Sequence, residues 1–184
     1  MQRITAVKHE TAEGKSKELL DGVKAKLGFV PNLMATMGSS PTVLEAYLNF
    51  SGALGSSLNA KLREQIALTV AEINGCGYCA SAHSAIGKLS GLDEKEILNA
   101  RRATSDDTKI DAALKFAGAL VASRGKVSDT EYQSVKDAGF TEKEISEIVA
   151  NVALNIFTNY FNETAKTVVD FPAIEFPLVN KATA

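Results

Sequence analysis

Residues 73–83, INGCGYCASAH, contain both cysteines of the 184-residue chain and one of its two histidines. Asn74-Gly75 within this stretch is a turn signal. A segment with helical spacing of apolar residues precedes the turn, and a segment interrupted only by Gly77 and Gly87 follows it to Lys88. The stretch therefore predicts two helices joined by a tight turn, with Cys76 at the N-terminus of the second helix.

The rest of the chain has the same helical character. The four prolines leave residues 42–171 free of the strongest helix breaker. Asp93, Ser128 and Thr141 each precede a glutamate by three positions, as in a capping box. Glycines stand where helices would end, at Gly28, Gly91, Gly125 and Gly139. We predict an all-α bundle of about seven or eight helices, with residues 1–184 as one domain that has short irregular termini.

A degenerate internal repeat is also possible. Placing Lys61 over Lys143 aligns KLREQIALTVAEINGCGYC with KEISEIVANVALNIFTNYF and pairs Ile66 with Ile148. Amphipathic helices often resemble one another, so the match is weak. A true repeat would mean two related helical hairpins, of which only the first retains cysteines.

Composition and charge exclude several classes of function. The formal net charge is -2 and the basic residues are dispersed, so no basic surface for nucleic acid is expected. No segment approaches the roughly 20 apolar residues of a membrane span, and the N-terminus lacks a signal-peptide core. We therefore expect a soluble cytoplasmic protein with reduced thiols. There a CxxC pair is redox-active or metal-binding more often than structural.

Both cysteines and a histidine fall on one face of the predicted second helix. Cys76 and Cys79 are three positions apart, and Cys79 and His83 are four apart. A helix N-terminus favours a thiolate, so we expect a lowered pKa for Cys76. His83 could accept the proton of Cys79. If the two helices are antiparallel, Glu64 on the first can approach and orient His83.

The same residues are also compatible with roles outside redox catalysis. The cysteines could be inert core residues, or could bind zinc with His83 and Glu64, although structural zinc usually has four Cys or His ligands. Glu64 could be a surface carboxylate paired with Lys61 or Arg63. An aromatic group on the last predicted helix could wall a substrate pocket, although core packing is the simpler role for it; its members are Phe157, Tyr160 and Phe161.

The spacing of these residues resembles a known motif. The pattern is similar to the active-site motif of the alkyl hydroperoxidase D (AhpD) group in the carboxymuconolactone decarboxylase superfamily. It consists of Glu64, then eleven residues, then Cys76-x-x-Cys79, then three residues and His83. NYFNETAKTVVDFP, residues 159–172, resembles the way many members end. The resemblance extends over roughly residues 32–172. It implies an AhpD-like helical fold, commonly assembled as a trimer or hexamer.

The resemblance also implies roles for the residues. Cys79 would be the peroxidatic thiol, Cys76 the resolving thiol, and Glu64 with His83 the proton relay. Some members have a second histidine at the position of Tyr78, and a phenol is a poor base near neutral pH. The redox centre would be the cysteine pair itself, so no bound organic cofactor and no metal are expected. A dithiol such as a lipoyl or thioredoxin-like protein would reduce it.

Three functions follow as hypotheses. The first is a thiol-dependent peroxidase for hydroperoxides, acting in antioxidant defence through a Cys76–Cys79 disulfide. The second is decarboxylation of a small lactone, in which the cysteine pair would be idle and a cysteine variant would retain activity. The third is a redox-sensing module that is oxidised once and changes its assembly, without sustained turnover.

Overall fold

Helices form all regular secondary structure in residues 1–178, the part of the chain that the computed structural model describes. After a 3₁₀ turn at His9–Thr11 come nine α-helices: α1 (Gly14–Leu27), α2 (Asn32–Met37), α3 (Pro41–Leu54), α4 (Ala60–Ile73), α5 (Gly77–Leu89), α6 (Glu94–Arg101), α7 (Thr108–Ala122), α8 (Asp129–Asp137) and α9 (Glu142–Ala165). The all-α prediction is confirmed, but the predicted number of helices was too low. The six residues of α2 are too few to show a periodic apolar pattern. The end of the predicted single domain, residues 179–184, lies outside the described residues.

Helix α4 is the centre of the bundle, because it packs against α5, α6, α7 and α9. One apolar cluster joins α4, α7 and α9 through the fully buried Ile66, Leu114 and Ile148. A second cluster joins α1, α2 and α3 to the start of α5 and includes both cysteines. The reactive stretch is therefore part of the core. No helix in residues 1–178 is long and apolar enough to cross a membrane.

The predicted helix boundaries are confirmed at their caps. Asp93, Ser128 and Thr141 each begin a helix with both hydrogen bonds of a capping box. The predicted glycine stops have positive φ angles at Gly28, Gly91, Gly125 and Gly139. These caps supply partners for backbone groups that a helix end leaves unpaired.

A left-handed glycine reverses the chain between α4 and α5. Gly75 has φ +70°, and its N–H donates to the carbonyl of Glu72 at 3.2 Å. The next N–H, of Cys76, donates to the carbonyl of Ala71 at 2.9 Å, which completes a Schellman motif. Cys76 is also the N-cap residue of α5. One cysteine thus ends the first helix and begins the second.

The second hairpin that a true internal repeat would imply is not formed. The segment aligned with α4 and α5 lies within α9, which runs unbroken from Glu142 to Ala165. Phe157 occupies the aligned position of Gly75. A phenylalanine does not favour the left-handed conformation of the turn, so the helix continues.

The C-terminal tail, residues 166–178, returns over the beginning of α5. Arg101 holds it, because Nη2 of Arg101 donates to the carbonyl of Glu175 at 2.8 Å and Nε pairs with Glu72 at 2.8 Å. The Phe176 ring lies so close to Gly77 that a Cβ there would be 3.3 Å from it. The tail therefore covers the end of α5 at which Cys76 lies.

The turn glycine gives a test of the fold. Gly75→Ala should destabilise the protein by about 1–2 kcal/mol, because a residue with a Cβ disfavours the left-handed backbone conformation at this position. The added methyl group itself would meet no atom within 4 Å. Gly22→Ala, in the exposed part of α1, should instead stabilise by about 0.5–1 kcal/mol. Urea unfolding of both variants measures the two effects, and a shift of both in the same direction would contradict this account.

Candidate active site

The two cysteines are reduced and buried at the start of α5. Cys76 is 0% exposed and Cys79 is 2% exposed. The backbone N–H of Cys79 donates to Sγ of Cys76 at 3.3 Å, so the Cys76 side chain is itself the helix cap. The predicted position of Cys76 at a helix N-terminus is confirmed.

A cavity of about 770 Å³ lies beside this helix. Cys79, His83 and Glu64 line it, whereas Cys76 is not part of its wall. Most of the wall is apolar and includes Leu33, Met34, Leu54, Ala82, Ile86 and Leu154. Of the two thiols, Cys79 is therefore the one that a molecule in the cavity would meet.

Glu64 and His83 form an ion pair between α4 and α5. Oε2 of Glu64 lies 2.7 Å from Nδ1 of His83. The alternative partners of Glu64 are engaged elsewhere, since Lys61 pairs with Glu96 at 3.7 Å and Arg63 donates to the carbonyl of Leu58. The interpretation of Glu64 as an ordinary surface carboxylate is therefore wrong. Burial lowers the pKa of His83, but the Glu64 carboxylate outweighs it and raises the pKa above its ordinary value.

Several groups around Cys79 favour its thiolate. Burial opposes the charge, but the Cys76 thiol, the charge of His83 and the amide of Asn162 together lower the pKa of Cys79 to about 7. Nδ2 of Asn162 lies 3.3 Å from Sγ of Cys79. A thiol with this pKa is about half ionised at neutral pH.

The expected lowered pKa of Cys76 is wrong. A hydrogen bond to the Cys79 sulfur raises the pKa of Cys76 first, and burial raises it further. The pair therefore holds one proton on Cys76 and one negative charge on Cys79, as coupled titrating groups do. The helix terminus offers the Cys76 sulfur a single N–H, which does not offset these effects.

The structure brings together all four residues selected from the sequence: Glu64, Cys76, Cys79 and His83. No hydrogen bond joins His83 to Cys79 in the part of the chain described, so His83 acts on the sulfur through its charge. Their catalytic roles stay a prediction. Within residues 1–178, no group of three or more His, Cys, Asp or Glu side chains is arranged to hold a metal ion.

Tyr78 has a structural position in the site. Its hydroxyl oxygen accepts the N–H of Leu33 at 3.1 Å, and its ring meets Phe171 edge to face at 5.7 Å. Burial raises the pKa of Tyr78 above its ordinary value. The residue thus ties α2 and the tail to α5 and stays protonated.

The aromatic wall of the cavity differs from the predicted one. Phe157, Tyr160 and Phe161 do not line it; the aromatic lining residues are Phe29, Tyr47, Tyr78 and Phe171. Tyr160 points outward because it lies on the exposed face of α9. Sequence analysis also missed Asn162 as a residue of the site. The available signal was a series of asparagines at helical spacing along the buried face of α9.

Comparison with known proteins agrees with this architecture. Residues 41–122 match the carboxymuconolactone decarboxylase family. The AhpD core of a peroxidase-related protein from Ralstonia eutropha JMP134 shares 22% identity and a TM-score of 0.81, over 92% of each chain. A peroxidase-related protein from Silicibacter sp. TM1040 shares 24% identity and a TM-score of 0.77, over 90% of this chain and 91% of that one.

A further structural neighbour is an enzyme with a different reaction. A cysteine-to-alanine variant of the debrominase Bmp8, in complex with 2,3,4-tribromopyrrole, shares 24% identity and a TM-score of 0.78 over 91% of each chain. No curated protein is significantly similar in sequence. Residues 41–122 therefore resemble the carboxymuconolactone decarboxylase family, and the chain has the fold of the AhpD core.

The charge of His83 should be visible in the titration of Cys79. In a Cys76→Ser background, His83→Asn should raise the pKa of Cys79, because the nearby positive charge is lost. The rate of iodoacetamide alkylation against pH measures this pKa. His9→Asn is the matched control, because His9 pairs at 2.7 Å with the exposed Asp21. Identical alkylation profiles for the two histidine variants would contradict the assignment.

Proposed function

We propose that the protein is a thiol-dependent peroxidase that reduces organic hydroperoxides. The observation that carries the proposal is the inequality of the two thiols. Cys79 lines the cavity and has a lowered pKa, whereas Cys76 is enclosed behind it and has a raised pKa. An attacking thiolate beside a protonated second thiol is what peroxide reduction by a cysteine pair requires.

In the first step the Cys79 thiolate attacks the terminal oxygen of the hydroperoxide. The S–O bond forms as the O–O bond breaks, and the alkoxide leaves with a proton to become an alcohol. Protonated His83 on the cavity wall is the acid that we assign to this step, and Glu64 keeps it charged. Cys79 is now a sulfenic acid.

In the second step Cys76 attacks the sulfur of that sulfenic acid. The S–S bond forms, the S–O bond breaks, and water leaves with the proton of Cys76. Oxidation of Cys79 removes the thiolate charge that raises the pKa of Cys76. The resolving thiol thus becomes more acidic just when it must react.

A dithiol outside the protein then reduces the disulfide and is itself oxidised. A lipoyl protein or a thioredoxin-like protein is the class of partner we propose, in a reducing compartment such as the cytoplasm. The net reaction converts a hydroperoxide and a dithiol into an alcohol, water and a disulfide.

We also propose a homo-oligomer, a trimer or a hexamer. Exposed apolar side chains on α3 and α9 support a contact between copies, since large apolar side chains gathered on a surface favour association. They are Phe50, Val149, Phe157 and Tyr160.

Reductive dehalogenation is a second candidate. The cavity contains aromatic rings of four residues, and the fold is that of the debrominase Bmp8. Attack of the Cys79 thiolate on a ring halogen would form an S–halogen bond as the C–halogen bond breaks, and the ring carbon would take its proton from protonated His83. Cys76 would then displace the halide and form the same disulfide, so the two reactions share their second half.

Turnover of cumene hydroperoxide with excess dihydrolipoamide tests the proposal. Wild-type protein should consume peroxide continuously, and Cys79→Ser should reduce consumption to the buffer rate. With peroxide but without dihydrolipoamide, Cys76→Ser should react once and stop at the Cys79 sulfenic acid, detectable as a dimedone adduct. Release of bromide from tribromopyrrole, measured in parallel, assesses the second candidate.

Each contrary result has a definite meaning. If wild-type protein is oxidised once and then consumes no more peroxide with any dithiol, the redox-sensing hypothesis would replace the peroxidase proposal. Unreacted thiols in the presence of peroxide would contradict the proposal and leave the lactone decarboxylase as the hypothesis to test.

A further inference from the structure

Asparagines line the inner face of α9. Asn151, Asn155 and Asn162 are all buried and all line the cavity. Nδ2 of Asn151 donates to the carbonyl of Glu147 at 2.8 Å, and Nδ2 of Asn155 to that of Asn151 at 2.9 Å. Both amides thus bond to carbonyls of their own helix, and Nδ2 of Asn151 also donates to Oγ of Ser57 at 3.2 Å. Asn162 differs, because its Nδ2 points to the sulfur of Cys79 on α5.

The other end of the Asn162 amide is unpaired. Oδ1 of Asn162 is buried without a hydrogen-bonding partner among the described residues, and the residue is 2% exposed. A buried polar atom without a partner destabilises a folded protein, and an apolar residue of the same shape would avoid this. The unpaired Oδ1 of Asn162 therefore destabilises the fold. The contribution of the residue is the hydrogen bond that its Nδ2 donates to Cys79.

The neighbouring Asn159 contributes less. Its amide also lowers the pKa of Cys79. However, Nδ2 of Asn159 has no acceptor in hydrogen-bonding geometry within the described chain, and its Oδ1 accepts from Asn74 at 3.0 Å. Asn162, in direct contact with the sulfur, is therefore the stronger donor of the two.

We propose that Asn162 is a catalytic residue that donates a hydrogen bond to the Cys79 thiolate and holds this sulfur in its reactive form. The proposal rests on the proposed function for its consequence in turnover, but the contact itself is a property of the reduced protein. The orientation of the amide follows from charge, since a thiolate can only accept and the NH₂ group must face it.

Other titratable groups surround Cys79 and share control of its charge. They are Tyr47 on α3, Glu64 on α4, Cys76, Tyr78 and His83 at α5, and Glu163 on α9 near Cys76. Burial raises the pKa of Tyr47 to about 12, so that this phenol stays neutral. Lys26 and Arg63 also line the cavity, but His83 is the cation whose charge lowers the pKa of Cys79. Asn162 adds a neutral donor in direct contact with the sulfur.

The role predicts a dependence on pH. A hydrogen bond stabilises the thiolate but also lowers its nucleophilicity, and the best attacking thiol has a pKa near the working pH. Removal of the donor should slow the reaction of Cys79 near pH 7, where fewer molecules are ionised. Above about pH 9 the variant should equal or exceed wild type, because both are then ionised and the freed thiolate is more nucleophilic.

Asn162→Leu tests the proposal, with Asn155→Leu as the matched control on the same helix face. Alkylation of the reduced protein by iodoacetamide should give a pKa of Cys79 that rises from about 7 in wild type to roughly 8 in Asn162→Leu. The control should leave this pKa unchanged. Thermal unfolding should occur at the same or a higher temperature in Asn162→Leu, because the unpaired oxygen is gone.

A structural role would produce the opposite pattern. A lower unfolding temperature with an unchanged alkylation profile, or a rate reduced equally at every pH, would overturn the proposal. Asn162→Asp serves if the leucine variant does not fold, because a carboxylate of the same size facing the sulfur should raise the pKa of Cys79. No rise in that variant would also overturn it.

The outcome is separable from the peroxidase proposal. Alkylation needs no peroxide and no reductant, so a shifted profile establishes the role of Asn162 even if wild-type protein shows no turnover. Conversely, sustained peroxide turnover with an unshifted profile would leave the function standing and remove Asn162 from it.

Discussion

The left-handed turn at Gly75 is the constraint on which the site depends. It reverses the chain within one residue, and Cys76 both completes the end of α4 and caps the start of α5. The reversal places His83 on α5 opposite Glu64 on α4, at ion-pair distance. A longer or looser connection would separate the carboxylate from the imidazole and leave the cysteines without a fixed register.

The second principle of the site is the unequal sharing of one proton between two thiols. Cys76 is fully buried and does not line the cavity, and a hydrogen bond to the Cys79 sulfur raises its pKa and keeps it protonated. Cys79 faces the cavity, with a positive histidine nearby and an amide donor from α9. The geometry thus separates the role of first nucleophile from that of second nucleophile before any substrate arrives.

Much of this could be predicted from local sequence. Capping boxes, terminal glycines and the Asn74-Gly75 turn act over a few residues, so their patterns located the helix ends that they mark. The spacing of Glu64 and His83 on either side of one tight turn was also sufficient to predict that their side chains meet. What failed depended on tertiary packing: the raised pKa of Cys76 comes from the neighbouring thiol, and Asn162 reaches Cys79 from a helix 83 positions away. The second hairpin failed for a local reason, the phenylalanine at the turn position.

The central claim is that Cys79, and not Cys76, is the reactive thiolate. Brief labelling of the reduced wild-type protein with substoichiometric iodoacetamide at pH 7, followed by peptide mass spectrometry, measures which sulfur reacts. Both cysteines fall in one peptide, so fragment ions must assign the label. This account predicts that nearly all of the label is on Cys79. Preferential labelling of Cys76, or equal labelling of the two, would contradict it.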